Sequence, residues 1–144
     1  MQLTRHTDYA LRVLMYLGLH PGELVTISEI SAAYGISRNH LMKVVHEMAN
    51  AGFILTYRGK AGGMQLAGEP ATINVGEVIR RMEGNLEIIN CLEPRCPIQT
   101  SCLLKGVLDD ARNAFLAVLD QHTLADLLGR NRRKLRGLLE LGLQ

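Results

Sequence analysis

Apolar positions recur at helical spacing over residues 9–19, where Ala10, Val13, Leu14 and Leu17 fall on one side. Leu11, Met15 and Leu19 make the opposite side apolar too. A helix apolar nearly all round is covered on several sides, in part by a second chain. Pro21 and Gly22 end it. The run Thr26-Ile27-Ser28-Glu29 then predicts a capped helix start, with Thr26 accepting from the third helical N–H and Glu29 reaching back. This short helix runs to Tyr34, and Gly35 turns the chain. Ser37 caps the next helix, whose core stripe is Leu41, Val44, Val45 and Met48; Gly52 suits a left-handed position at its end. Two short helices joined by a tight glycine turn predict a helix-turn-helix. Residues 53–57 read as a strand, 58–63 as a glycine-rich hairpin loop and 64–67 as the returning strand. A hairpin directly after a helix-turn-helix is the wing of a winged helix.

The pattern then changes. Residues 74–82 predict another short helix on Val75, Val78, Ile79 and Met82, ended by Gly84. Residues 85–102 have no periodicity and contain Pro94, Pro97 and all three cysteines. A long helix follows to about residue 121, with Leu104, Leu108, Ala111, Phe115 and Val118 forming a coiled-coil-like seam that asks for a partner helix. Thr123 caps a last segment through Leu128. The fold class is therefore mostly α. Residues 1–83 are a winged helix-turn-helix DNA-binding domain, 84–103 a cysteine loop, and 104–144 a dimerisation helix with a C-terminal tail.

Composition agrees. Apolar residues at 47% and charged residues at 21% exclude a disordered chain, and two Phe, four Tyr and no Trp are poor material for a sandwich or barrel. The net charge of +2 does not by itself point to nucleic acid, but its distribution runs from a mildly basic front through an acidic middle to a basic tail. The tail cluster Arg130, Arg132, Arg133, Lys134 and Arg136 reads as a solvated helix face or tail, the lesser alternative being an accessory contact to DNA or a partner. Arg12 interrupts the apolar N-terminal run, no small-residue cleavage site follows it, and no apolar stretch reaches membrane-spanning length. The expectation is a cytoplasmic protein with reduced cysteines, whose odd number suits metal better than disulfides.

Two constellations carry chemistry. The exposed side of the second helix-turn-helix helix offers Ser37, Arg38, Asn39, His40 and Lys43, and Arg and Asn are the side chains able to make bidentate contacts to guanine and adenine. The wing adds Arg58 and Lys60 among glycines, suited to phosphate. The second constellation is Cys91, Cys96 and Cys102 on one irregular loop. Structural zinc sites close with shorter knuckles, whereas this stepped spacing suits a cluster whose separate iron atoms each take one thiolate. A zinc site or a thiol redox switch is the rival. No fourth cysteine exists and none of the five histidines lies in the loop, so the remaining ligand is left among His, Asp, Glu, backbone and a small molecule. An enzyme has little support, since no phosphate-cradling loop, triad or paired carboxylates stand out.

The whole chain resembles the bacterial winged-helix iron–sulfur regulators. The resemblance rests on Leu3-Thr4 with Asp8-Tyr9-Ala10-Leu11-Arg12, on Gly35-Ile36-Ser37-Arg38-Asn39-His40-Leu41 and on Arg58-Gly59-Lys60-Ala61-Gly62-Gly63. The cysteine loop and Thr123-Leu124-Ala125-Asp126-Leu127 complete it. Within the family the chain is most similar to the nitric-oxide-sensing repressors. The iron–sulfur-homeostasis branch has a first cysteine gap one residue longer and a histidine where Lys105 stands. The resemblance implies a homodimer on a pseudo-palindromic operator, repressing nitric-oxide-detoxifying genes until nitrosylation of the cluster releases the DNA. It implies an iron–sulfur cluster, [4Fe–4S] in preference to [2Fe–2S], held by Cys91, Cys96 and Cys102. The fourth ligand it implies is Asp8, donated by the first helix of the other subunit. The absence of a membrane-spanning apolar stretch predicts no membrane partner.

Overall fold

A computed structural model describes residues 1–142 of the chain. Its elements are α1 (Arg5–Leu19), α2 (Ile27–Tyr34), α3 (Arg38–Asn50), β1 (Ile54–Tyr57), β2 (Gly63–Leu66), α4 (Val75–Met82), α5 (Leu103–Asp120), α6 (Leu124–Leu128) and α7 (Arg132–Leu141). Short 3-10 turns lie at Pro70–Thr72, Gln99–Ser101 and Gly129–Asn131.

α1 starts four residues before its apolar stripe, because Thr4 caps it by accepting from the Thr7 backbone N–H. Thr26 and Glu29 form the full capping box of α2, and Gly35 ends that helix at φ 66°, a left-handed position that suits glycine. The wing pairs β1 with β2 antiparallel, Ile54 facing Leu66 and Thr56 facing Met64. A third extended segment, a single bridge at Val25, escaped the sequence reading: the Val25 and Met64 backbones exchange hydrogen bonds of 2.9 and 2.8 Å, tying the wing to the segment before α2. α1, α2, α3, the wing and α6 enclose one core, in which Leu14, Ile30, Leu41, Met48, Ile54 and Leu128 are fully buried. Each such side chain contributes about 1.5–3 kcal/mol by leaving water.

α4 and α5 pack on a smaller core of Val75, Ile79 and Leu116, with Leu3, Leu11, Leu86, Phe115 and Leu119 against it. This revises the seam. Phe115 turns partly inward, and the exposed stripe of α5 is Leu104, Val107, Ala111, Ala114 and Val118, again alternating by three and four. Leu104, Val107 and Val118 are 58, 63 and 57% exposed.

The tail is not simply a solvated face. α7 lays Leu135 and Leu139 on the main core. Arg132 Nη2 donates to the Gly18 carbonyl (2.5 Å), and Arg136 Nη1 to that of Leu19 (3.5 Å). Two of the five clustered cations therefore cap the last turn of α1, where positive charge is favourable, while Arg130, Arg133 and Lys134 stay exposed.

Candidate nucleic-acid interface and metal centre

α3 presents its polar face beside the start of α1. Ser37 caps α3 by accepting from His40 N (3.3 Å), which fixes the direction in which the first turn leaves the helix-turn-helix. Arg38, Asn39 and Lys43 are exposed, and Arg38 Nη2 donates across the turn to Ser28 Oγ. His40 is half-buried, its ring edge-on to Tyr9 at 4.7 Å between centroids, so it joins α3 to α1. The face continues along α3 through His46 and Asn50, where Asn50 Nδ2 donates to His46 Nε2 (3.2 Å). It forms a cleft lined by His6, Asn39, His40, Lys43, His46, Glu47 and Asn50. His46 and Asn50 were missed from the sequence, although they continue the helical spacing of Asn39 and Lys43. Glu47 puts an acidic group in this cleft, and His6 Nε2 donates to it at 2.6 Å. At the wing, Arg58 and Lys60 are exposed around Gly59, whose φ of 104° an L side chain rarely adopts.

The cysteines lie on the loop between α4 and α5. Cys91 is buried and Cys96 and Cys102 are half-buried. Asn90 Oδ1 accepts from the backbone N–H groups of Leu92 (2.9 Å) and Glu93 (3.2 Å), and Cys96 N donates to the Cys91 carbonyl (3.0 Å), closing the loop's first bend. Cys102 occupies the cap position of α5 without a side-chain cap bond. Among the described residues no three His, Cys, Asp or Glu side chains converge as a metal-ion site. Three thiols on one loop nonetheless fit the donor chemistry of an iron–sulfur cluster.

Among the described residues Asp8 joins no such group; it pairs with Arg12 through two contacts, Nε to Oδ1 at 3.0 Å and Nη2 to Oδ2 at 2.9 Å. The Arg12 guanidinium lies 5.8 Å from the ring centres of both Tyr9 and Tyr34. Burial pushes the Tyr34 phenol up to about 12, so it remains a neutral ring for the cation to face. Glu83, the residue before the loop region, escaped the sequence reading. Its carboxylate accepts from Thr4 N (3.2 Å), Thr4 Oγ1 (3.1 Å) and Thr7 Oγ1 (2.5 Å), clamping the first turn of α1 to the root of the cysteine loop.

A profile of iron-dependent transcriptional regulators, Rrf2, matches residues 3–130. This chain belongs to the Rrf2 family. It is 44% identical to the HTH-type transcriptional regulator NsrR of Bacillus subtilis, over 98% of this chain and 99% of the relative. It is 46% identical to NsrR of Geobacillus kaustophilus, with 97% of each chain covered. Among solved structures, the IscR of T. potens superposes with a TM-score of 0.72 at 29% identity, covering 89% of this chain and 86% of that one. CymR of B. subtilis, the global cysteine regulator, gives 0.69 at 29%, covering 88% and 95%. This Rrf2 chain is accordingly a winged-helix transcriptional regulator, with DNA as its partner, and its relatives are regulators rather than enzymes. Among the described residues no helix is long and apolar enough to cross a membrane.

Proposed function

We propose that the chain is a nitric-oxide-responsive repressor that works as a homodimer carrying an iron–sulfur cluster, [4Fe–4S] in preference to [2Fe–2S]. Residues 1–83 form the DNA-reading unit, 84–103 the cluster loop, and 104–144 contain the dimerisation helix, with the exposed stripe of α5 as the contact. Ser37, Arg38, Asn39, His40 and Lys43 face the major groove, and Arg58 and Lys60 hold phosphate at the wing. Cys91, Cys96 and Cys102 hold the cluster, with Asp8 of the second subunit as the remaining ligand. When bound, the cluster supplies iron atoms that react with nitric oxide.

The observation that carries this reading is the placing of the donors. The three thiols lie on the loop that follows Glu83, and Glu83 is bonded to the first turn of α1. That helix carries Asp8 and reaches α3 through Tyr9 and His40. Asp8 holds Arg12, Arg12 faces Tyr9 and Tyr34, and Tyr34 ends α2. A change in what Asp8 holds therefore reaches both helices of the DNA-reading motif by packing. The NsrR relatives, matched over nearly their whole length, support the nitric-oxide reading over the iron–sulfur-homeostasis one.

The test is anaerobic purification with a visible spectrum and iron and sulfide assays, followed by DNA binding before and after nitric oxide. Duplexes selected from a random pool by the protein itself serve as probe. Brown protein whose DNA affinity falls on exposure to nitric oxide is the expected result. Colourless zinc-loaded protein, or DNA binding indifferent to nitric oxide, would overturn it.

A further inference from the structure

We infer that Ser28 is a positioning residue for the DNA-reading Arg38, and so determines base preference without itself reading a base; this rests on Arg38 being a reader. Arg38 is the first residue of α3 and Ser28 lies in the first turn of α2, on the other helix of the motif. Ser28 Oγ accepts from Arg38 Nη2. Both residues are exposed, so burial of apolar surface does not account for the contact.

An exposed arginine loses much rotamer freedom when it docks on a base edge. Holding one N–H on Ser28 removes part of that freedom beforehand. The guanidinium has five N–H donors, and those not used on Ser28 remain for the O6 and N7 acceptors of guanine. Ser28 accepts with a lone pair and keeps its own O–H, which is free to donate to a phosphate oxygen. One hydroxyl thus fixes the fork of the reader and touches the backbone beside the base being read. The start of α2 does not depend on Ser28, because the capping box is made by Thr26 and Glu29 alone.

The experiment compares full-length, cluster-loaded parent protein with Ser28→Ala, Ser28→Thr, Arg38→Ala and the double variant. Each selects duplexes from a random pool, and the base preference at every position is measured. Ser28→Ala should weaken preference at the base position that Arg38→Ala erases, by roughly five- to tenfold, the worth of one hydrogen bond. Ser28→Thr, which keeps the hydroxyl, should restore it. The double variant should match Arg38→Ala, and melting temperatures should stay together. Unchanged preference for Ser28→Ala, losses that add in the double variant, or tighter binding by Ser28→Ala would each overturn the inference while leaving Arg38 a reader. Unchanged preference for Arg38→Ala would remove the reader itself, and the inference with it.

Discussion

Gly18 shows how one missing side chain sets the spacing of the main core. It sits near the end of α1, and a Cβ there would lie 2.6 Å from Leu128 Cδ1. Leu128 is 1% exposed, so it has no free space to retreat into. Gly18→Ala should therefore destabilise the protein by about 1–3 kcal/mol, the usual cost of overpacking, despite alanine's better helix propensity. A denaturant midpoint equal to the parent's would mean that α1 and α6 can separate without cost. At the proposed DNA face the residue-level distinction is between reading and holding. Lys60, exposed on the wing tip, should act on phosphate alone. Lys60→Ala is expected to weaken operator and random DNA alike and to flatten the plot of log affinity against log salt by roughly one unit. A selective loss on operator DNA would make Lys60 a base reader instead.

The joint between α4 and α5 is an element-scale device. Arg80 grips Asp120 through two bonds of 2.5 and 2.7 Å, and Asn74 Nδ2 donates to the Asp120 carbonyl (2.7 Å). The hydrogen bond from Arg80 holds the Asp120 carboxyl below its usual 3.8, and the backbone N–H of Thr123 holds that of Asp126 below it too. Both groups keep their charge more readily folded than unfolded. Their contribution is thus present above about pH 4 and lost as pH falls through their lowered folded values. A Cβ on Gly76 would collide with the Asp120 carboxylate. Gly76→Ala should displace that carboxylate, so stability should fall less steeply below pH 4 than in the parent; an unchanged acid profile would show that the Arg80 pair contributes nothing measurable. The winged helix was legible in the sequence because its punctuation is local: Thr26 with Glu29, Gly35, Ser37 and Gly52 mark element ends by their own chemistry. The packing of α7 was not legible. Only Leu135 and Leu139 face the core, no side chain caps its start, and the five clustered cations read as solvent-facing although Arg132 and Arg136 find partners more than a hundred residues away. The seam of α5 was off by one residue at two positions because both neighbouring faces are apolar, and only packing on Val75 and Ile79 chooses which turns inward.

At the scale of the whole molecule, the proposed metal centre needs two chains, and this decides how Asp8 is to be tested. In a single chain Asp8 pairs with Arg12, both about 42% exposed, an ion pair worth at most about 1 kcal/mol. Removing it should leave the fold intact, so any change in a cluster spectrum must come from the ligand set. Asp8→Ala, prepared anaerobically, should keep a cluster on the three cysteines with altered absorption and altered nitric-oxide kinetics, whereas Arg12→Ala should change these less. A mixed dimer then settles which chain donates. One subunit carries Asp8→Ala with its cysteines intact; the other carries Cys91→Ser with Asp8 intact. Each such dimer can build one full thiolate set, on the Asp8→Ala subunit. If the carboxylate crosses between subunits, that set receives Asp8 from its neighbour, and the spectrum and nitric-oxide rate should be those of the parent at half the iron. If Asp8 serves its own chain, the mixed dimer should show the Asp8→Ala spectrum. Should the Asp8→Ala homodimer itself be indistinguishable from the parent, the carboxylate is no ligand, and its bond to Arg12 is an ordinary pairing one helical turn apart.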